Sequence, residues 1–363
     1  FIMKILHVES GRRLYGGAQQ VRFLLQGLAD LDAEKILVCP PDTALAGRVR
    51  SWARVIEIPC SGDLDLLFAW RLYRCIRREQ PSLVHVHSRR GADWWGGLAA
   101  FLAGVPAVLS RRVDRPEGRL AGLKYRFYDR VIAISHAIRE QLLDSGVPGE
   151  KISYVPSGVN AEALQVERDR KWLHTELGIP REAFLLGIVA QLIPRKGHSD
   201  LLSAMQILGD SSAWLLALGE GKEESRLRIE VRKRGLQERV VFAGFREDAA
   251  RILPCLDALV HPAHREGLGV SVLEAAAEGV PIVATNAGGL VDLIIHQDTG
   301  LLVNPGSPSE LAEAIKLLMD EPELSRQLAN AARRKVVQQF SVEGMVEGNL
   351  RAYERVLENR EKG

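Results

Sequence analysis

Glu266-Gly267-Leu268-Gly269-Val270-Ser271-Val272-Leu273-Glu274, followed by AAAEGVPIVAT at 275–285, is the stretch on which the reading of this chain turns. Behind it lies a short apolar run, Ala258–His261, and ahead of it an alanine-rich segment that stops at Gly279, so the order is strand, glycine-bearing loop, helix, strand. That order predicts parallel strands covered by helices. Gly267 and Gly269 let a ligand approach the backbone closely. The N–H groups of Gly269, Val270 and Ser271 are first-turn donors without an intrahelical partner, which makes an anion site. Glu266 precedes the helix and Glu274 lies about two turns on; carboxylates there suit sugar and ribose hydroxyls better than phosphate. The plainer alternative is an acidic helix start that complements the helix dipole.

Working outward, the same alternation recurs. Ala183–Ala190, Ala213–Leu218, Val240–Ala243, Ala258–His261, Pro281–Thr285 and Gly300–Val303 read as strands, with helices at Ser199–Leu208, Glu223–Arg234, Val270–Glu278, Pro308–Asp320 and Pro322–Gln339. An earlier series comprises Met3–Val8, Glu34–Val38, Val55–Ile58, Leu83–His87, Ala107–Leu109, Val131–Ile134 and Ile152–Val155, with helices such as Ala18–Ala29 and Leu66–Glu79. In the latter, Trp70, Tyr73, Ile76 and Arg77 recur at three- to four-residue spacing. Pro156-Ser157-Gly158-Val159-Asn160 has turn chemistry and no periodicity, and reads as the linker. The chain of 363 residues is therefore expected to form two doubly wound α/β lobes, 1–160 and 161–341, with ligands at the carboxyl ends of the strands in a cleft between them.

Arg195-Lys196-Gly197 follows the strand Ala183–Ala190, where two cations can neutralise a pyrophosphate. Gly16-Gly17-Ala18 opens a helix after the first strand but lacks the full GxGxxG pattern, so plain turn chemistry competes with phosphate approach. His85 and His87 are expected to point to opposite sides of their strand, His87 toward the ligand and His85 into the core. Asp63-Leu64-Asp65 imitates a metal-binding DxD, but a helix-start charge pair is the preferred reading. Lysine, arginine and helix-terminal amides can do the electrostatic work, so no metal and no cofactor are expected.

Composition narrows the classes. Apolar residues make up 46% and charged residues 26% of the chain, ordinary for a globular protein with a large core. The four cysteines are scattered, which excludes a zinc knuckle or disulfide framework and fits a reducing cytoplasm. No apolar run approaches the ~20 residues that cross a bilayer. Residues 1–160 hold 23 Lys and Arg against 16 Asp and Glu, a net of +7, and the remainder holds 25 against 30, a net of −5. The excess is mostly arginine, suited to phosphate or anionic lipid, or else a solvated surface. No nucleic-acid partner is expected.

The ordered set GGA, DRVIAIS, VPSGVN, RKG, GF, EGLGVSVLE, GVPIVAT, AGG and TGLLV resembles the retaining family-four, or group 1, glycosyltransferases of GT-B fold, two Rossmann-like lobes, over nearly the whole chain. The resemblance implies transfer from a nucleoside-diphosphate sugar, a substrate and not a cofactor, with retention at the anomeric carbon. It implies that Glu274 binds the ribose, Glu266 the sugar hydroxyls, and the Gly269–Ser271 backbone the β-phosphate, while Arg195 and Lys196 offset the leaving diphosphate. Phe245, after Gly244, would meet the base through its backbone, and Gly16 would approach the diphosphate from the first lobe. Two departures stand out. Gln191 occupies the place of a usual arginine, and Ser110-Arg111-Arg112-Val113-Asp114 stands where many members carry a histidine. Arg112 or His87 is thus the candidate to face the reacting sugar. The resemblance also implies that the helix at 342–363, with Met345, Leu350, Tyr353 and Leu357 near one face, packs back on the first lobe.

Three other readings compete with this one. A nucleotide-sugar epimerase needs acid–base carboxylates and histidines clustered in the first lobe, a phosphorylase needs a longer chain, and a silent partner subunit has no need of Glu266, Glu274 and Lys196 together. The expected acceptor is a glycan, lipid-linked or phosphorylated. Arg71, Arg74, Arg77 and Arg78 on one helix, with Arg89, Arg90, Arg111, Arg112, Arg115, Arg119 and the pair Trp94-Trp95, lead to an expected cytoplasmic protein in peripheral contact with the inner face of the membrane.

Overall fold

The computed structural model describes residues 3–62, 64–87, 91–114, 117, 121–164, 166–209 and 212–361. Among the described residues, thirteen strands form two sheets, all paired in parallel. The first contains β1 (Met3–Val8), β2 (Ala33–Cys39), β3 (Arg54–Glu57), β4 (Leu83–Val86), β5 (Ala107–Arg111), β6 (Arg130–Ala133) and β7 (Ile152–Tyr154), in the order β3-β2-β1-β4-β5-β6-β7. The second contains β8 (Phe184–Val189), β9 (Ala213–Leu218), β10 (Val240–Gly244), β11 (Ala258–His261), β12 (Ile282–Thr285) and β13 (Leu301–Val303), in the order β10-β9-β8-β11-β12-β13. Each sheet winds outward from one strand, returns beside it and winds the other way. The switch falls between β1 and β4 in one sheet and between β8 and β11 in the other, the places where such sheets open a ligand crevice.

The chain divides into two compact units, Phe1–Gly158 with Val342–Gly363, and Val159–Ser341. In the first, the C-terminal helix Val342–Glu361 buries Met345, Val346, Ala352, Tyr353 and Val356 against Phe23 and Leu24 of helix Gly16–Gly27, against its C-cap Leu28, and against Ile5, Leu83, Val108 and Ile132 of the sheet. The helices touch so closely that a Cβ on Gly27 would lie 2.5 Å from Val346 Cγ2. Ala18, Val21 and Leu25 of the same helix pack with Leu37, Cys39, Leu45 and Val49 into a second cluster. In the other unit, Leu186, Ile188, Leu215, Val260 and Val283 of the sheet pack with Leu201, Met205, Leu311 and Ile315 of its helices.

The linker is pinned at its middle. The Gln20 side chain, fully buried, donates to the Gly158 carbonyl and accepts from the Gly158 N–H, both at 2.8 Å. One residue on, Val159 pairs with Ser341, just where the chain returns toward the first unit.

Helix Leu66–Glu79 turns a different face inward from the one its spacing suggested: Phe68, Leu72, Cys75 and Ile76 are buried, and Trp70 is 55% exposed. Asp65 caps this helix, accepting from Phe68 N–H at 2.9 Å and Ser61 N–H at 2.8 Å. Asp63 lies outside the described residues, as do Arg89, Arg90, Arg115 and Arg119. Trp94 and Trp95 sit half-buried in helix Ala92–Ala103.

Candidate functional site

At the switch of the second sheet, the chain leaving β8 makes a single tight turn at Pro194–Lys196 and is capped by Gly197 at φ +72°. A Cβ there would lie 1.9 Å from the Pro262 carbonyl oxygen, so only glycine lets the turn press against the exit of β11. That contact brings Lys196 to Glu266, seventy residues later. Lys196 Nζ donates to Glu266 Oε2, His261 Nε2 donates to the same oxygen at 2.7 Å, and Glu266 Oε1 accepts from Gly267 N–H at 3.0 Å. Burial would raise the Glu266 pKa, but the Lys196 ammonium and the His261 hydrogen bond outweigh it and hold the carboxyl well below its usual range. The Glu266 carbonyl accepts from Gly289 N–H at 3.0 Å, which ties in the AGG segment. Arg195 lies beside them, its Nη1 donating to the Arg265 carbonyl at 3.1 Å.

The helix after this loop, Val270–Ala277, begins at Gly269 with φ +100°, where a Cβ would meet Leu290 Cδ2 at 2.8 Å. Its first intrahelical bonds run from the Val272 and Leu273 N–H groups to the Gly269 carbonyl, each 3.0 Å. The N–H groups of Gly269, Val270 and Ser271 therefore precede the ladder. Glu274, half-buried on this helix, makes no ion pair with any described residue, and burial pushes its pKa up to about 7. Phe245 follows the carboxyl end of β10, two strands from β8, and is 37% exposed. Arg195, Lys196, Glu266, Gly267, Gly269, Val270, Ser271 and Glu274 thus gather at the carboxyl ends of β8 and β11, with Phe245 farther along that edge.

Two histidines here escaped the sequence reading. His261 is the last residue of β11, and its Nδ1 is buried without a partner among the described residues. His198, at the first position of its helix, leaves both ring nitrogens so, and burial, then His261 and Lys196, lowers its pKa to about 4. A histidine closing a strand five residues before a glutamate was the available signal for the first.

At the switch of the first sheet, three histidines meet. His7 and His85 are neighbours in the β1–β4 register, and His87 continues the ladder through its N–H to the Val8 carbonyl. The expected opposition of His85 and His87 is wrong: residues two apart on a strand share a face, and these rings lie 3.7 Å apart, centroid to centroid. His87 is 2% exposed and its Nε2 is 2.9 Å from His7 Nδ1. His85 bonds the Tyr353 hydroxyl at 2.6 Å and Ser110 Oγ at 2.9 Å. Burial drives the His7 pKa to about 3 and takes His85 and His87 well below the usual value, so all three are neutral at physiological pH.

The three rings offer nitrogens within 4.8 Å of one another, which invites a metal test. The donor set fits poorly. Both nitrogens of His85 are engaged, His7 and His87 bond each other, and the Arg112 cation acts on His85 and His87, opposing any further positive charge. Arg112 lies beside the start of helix Gly16–Gly27: its Cδ is 3.8 Å from where a Gly17 Cβ would stand, and its Nη1 reaches Ser157 Oγ at 3.4 Å. Burial lowers its pKa to about 10, with Glu9 and Tyr353 opposing. Gly16, Gly17, Arg112 and the His87 cluster are thus close in one unit.

Comparison with known proteins places these motifs in context. The family described as Glycosyl transferases group 1 matches residues 169–335, and Glycosyltransferase Family 4 matches residues 15–163. The N-acetyl-alpha-D-glucosaminyl L-malate synthase of Bacillus anthracis is 31% identical over 371 residues, covering 99% of this chain and 95% of that protein. The UDP-Gal:alpha-D-GlcNAc-diphosphoundecaprenol alpha-1,3-galactosyltransferase of Escherichia coli is 25% identical over 367 residues, with 94% of each covered. In fold, the chain is similar to Anabaena Alr3699/HepE, solved in complex with UDP-glucose, at a TM-score of 0.88 and 23% identity over 97% of this chain and 100% of that one.

Proposed function

Since the chain belongs to the group 1, family-four glycosyltransferases with the GT-B fold, we propose that it moves a hexosyl group from a nucleoside-diphosphate sugar to a lipid-linked or phosphorylated glycan acceptor, with retention at the anomeric carbon. The observation that carries the donor half is the convergence of Lys196 and His261 on Glu266 beside the open amides of Gly269, Val270 and Ser271. As the sugar–phosphate bond breaks, negative charge grows on the departing diphosphate and positive charge on the sugar ring. The helix-terminal amides, Lys196 and Arg195 stabilise the first where it forms. Glu266, kept ionised, accepts sugar hydroxyls, and Glu274 accepts from the ribose.

In the first unit, Arg112 and the glycine pair offer a cation and close backbone approach for an anionic acceptor, and the arginine excess favours contact with an anionic membrane surface from the cytoplasmic side. The histidine cluster revives the epimerase reading only in part, because its rings are buried and neutral and the charge beside them is a cation.

The test is incubation with UDP- and GDP-sugars, followed by proton NMR of the released or transferred sugar. Slow donor hydrolysis, with the donor's anomeric configuration kept in the first product, is expected. Inverted product would remove the retention claim, and donor isomerised without loss of diphosphate would favour the epimerase.

A further inference from the structure

The helix Leu66–Glu79 presents a surface that the folding of the first unit does not use. Leu64, just before it, is 92% exposed, and Leu66, Leu67 and Trp70 are 66%, 61% and 55% exposed, while Phe68, Leu72, Cys75 and Ile76 on the other side are buried. At 3.6 residues per turn, Leu66, Arg77, Trp70, Arg74, Leu67 and Arg78 fall in that angular order within an arc of about 120°. Along the axis the arc is divided: its apolar members occupy the first turn and a half, its arginines the rest. Arg74 lies over the Trp70 ring, 4.9 Å from its centroid, and Arg78 pairs with Glu79. Arg74 and Arg77 make no ion pair with any described residue.

We propose that this strip is the membrane-docking surface of the protein, with Leu64, Leu66, Leu67 and Trp70 entering the headgroup boundary of an anionic bilayer and Arg74 and Arg77 meeting lipid phosphate. Solvated leucines are costly in water and gain by entering an apolar layer. An indole suits the interface, and unpaired arginines add attraction that salt screens. The charge decides among occupants: a purely apolar partner would leave the two arginines uncompensated, whereas a phosphate-bearing surface answers both halves of the strip. The segment leading into the helix adds a reason for docking here. Pro59, Cys60 and Ser61 line a cavity of about 240 Å³ with Arg12, Pro40, Pro41 and Asp42, so docking through this helix sets that cavity at the lipid surface, where a lipid-linked acceptor's polar head would be found.

This assignment rests on the membrane contact proposed above, and the experiment separates the two. The full chain, its Leu66→Gln/Leu67→Gln/Trp70→Gln variant and its Arg74→Gln/Arg77→Gln variant are sedimented with vesicles of phosphatidylcholine alone or with phosphatidylglycerol. The side chains concerned are exposed, so unchanged thermal midpoints are expected and checked. The wild-type chain should bind the anionic vesicles, weakly the neutral ones, and lose binding as salt rises. The apolar variant should bind at least tenfold less, and the arginine variant about thirtyfold less at low salt, at roughly fivefold per charge. If the wild-type chain binds and both variants bind equally well, the strip is the wrong surface while the membrane reading stands. If the wild-type chain stays in the supernatant with both vesicle types, both fall. Self-association of the wild-type chain that the apolar variant abolishes, without vesicle binding, would give the strip to a second copy and overturn the proposal.

Discussion

Lys196 and Glu266 form a buried pair whose halves depend on each other. Replacing Lys196 by Ala removes the cation and leaves the Glu266 carboxylate with only His261 and the Gly267 N–H, so turnover should fall by on the order of a hundredfold or more, the cost of losing one preorganised donor. Circular dichroism should be unchanged, and near-normal rates in a folded variant would refute the assignment. Glu274 makes the opposite kind of statement. Its pKa is raised by burial from 4.5 to about 7, so the folded chain holds a proton that the unfolded chain releases. The resulting stability is present below about pH 4.5 and lost as pH rises through about 7. Glu274→Gln should therefore match wild type in denaturant unfolding near pH 4 and exceed it by about 1–3 kcal/mol at pH 8. The same variant should bind a bare nucleoside diphosphate about tenfold or more weakly by calorimetry, having lost a charged acceptor. The glutamates and the RK pair were legible because motif and strand end coincide in sequence. His261 and His198 were not, since a lone histidine acquires meaning only when folding brings Lys196 and Glu266 to it.

Among the elements, the strands were the most legible part, because runs buried on both faces of a parallel sheet are continuous and apolar. Their predicted ends differ from β1–β13 by a residue or two, as at Leu83–His87 against Leu83–Val86. Helix faces were harder to read: Leu66–Glu79 carries enough aromatic and apolar residues to suggest an inward face that the packed neighbours do not accept. Turns carry their own test at Gly197. Alanine there would need φ +72° and would drive its Cβ into the Pro262 carbonyl. Backbone strain alone costs about 1–3 kcal/mol, and the clash should also separate Lys196 from Glu266. Gly197→Ala should lower the unfolding midpoint and activity together; a variant with wild-type activity would show that the turn does not set the pair.

For the molecule entire, the division into units follows contacts and not chain order. Removing residues 342–363 takes Met345, Val346, Tyr353 and Val356 out of the first core and leaves the 2.6 Å bond at His85 unmade. Losses of about 2–5 kcal/mol per large core side chain exceed what a domain can spare. Limited proteolysis of the truncated chain should digest residues 1–158 while a fragment near 159–341 resists; equal resistance of both would refute the dependence. The same arrangement has a consequence during synthesis. The first unit's strands leave the ribosome early, but the helix that covers them follows only after the 183 residues from Val159 to Ser341. At about 5–20 residues per second, that is a wait of about 10–40 s with an apolar face open. The N-terminal half must be shielded over that interval, so the second-made unit is able to finish folding before the first-made one.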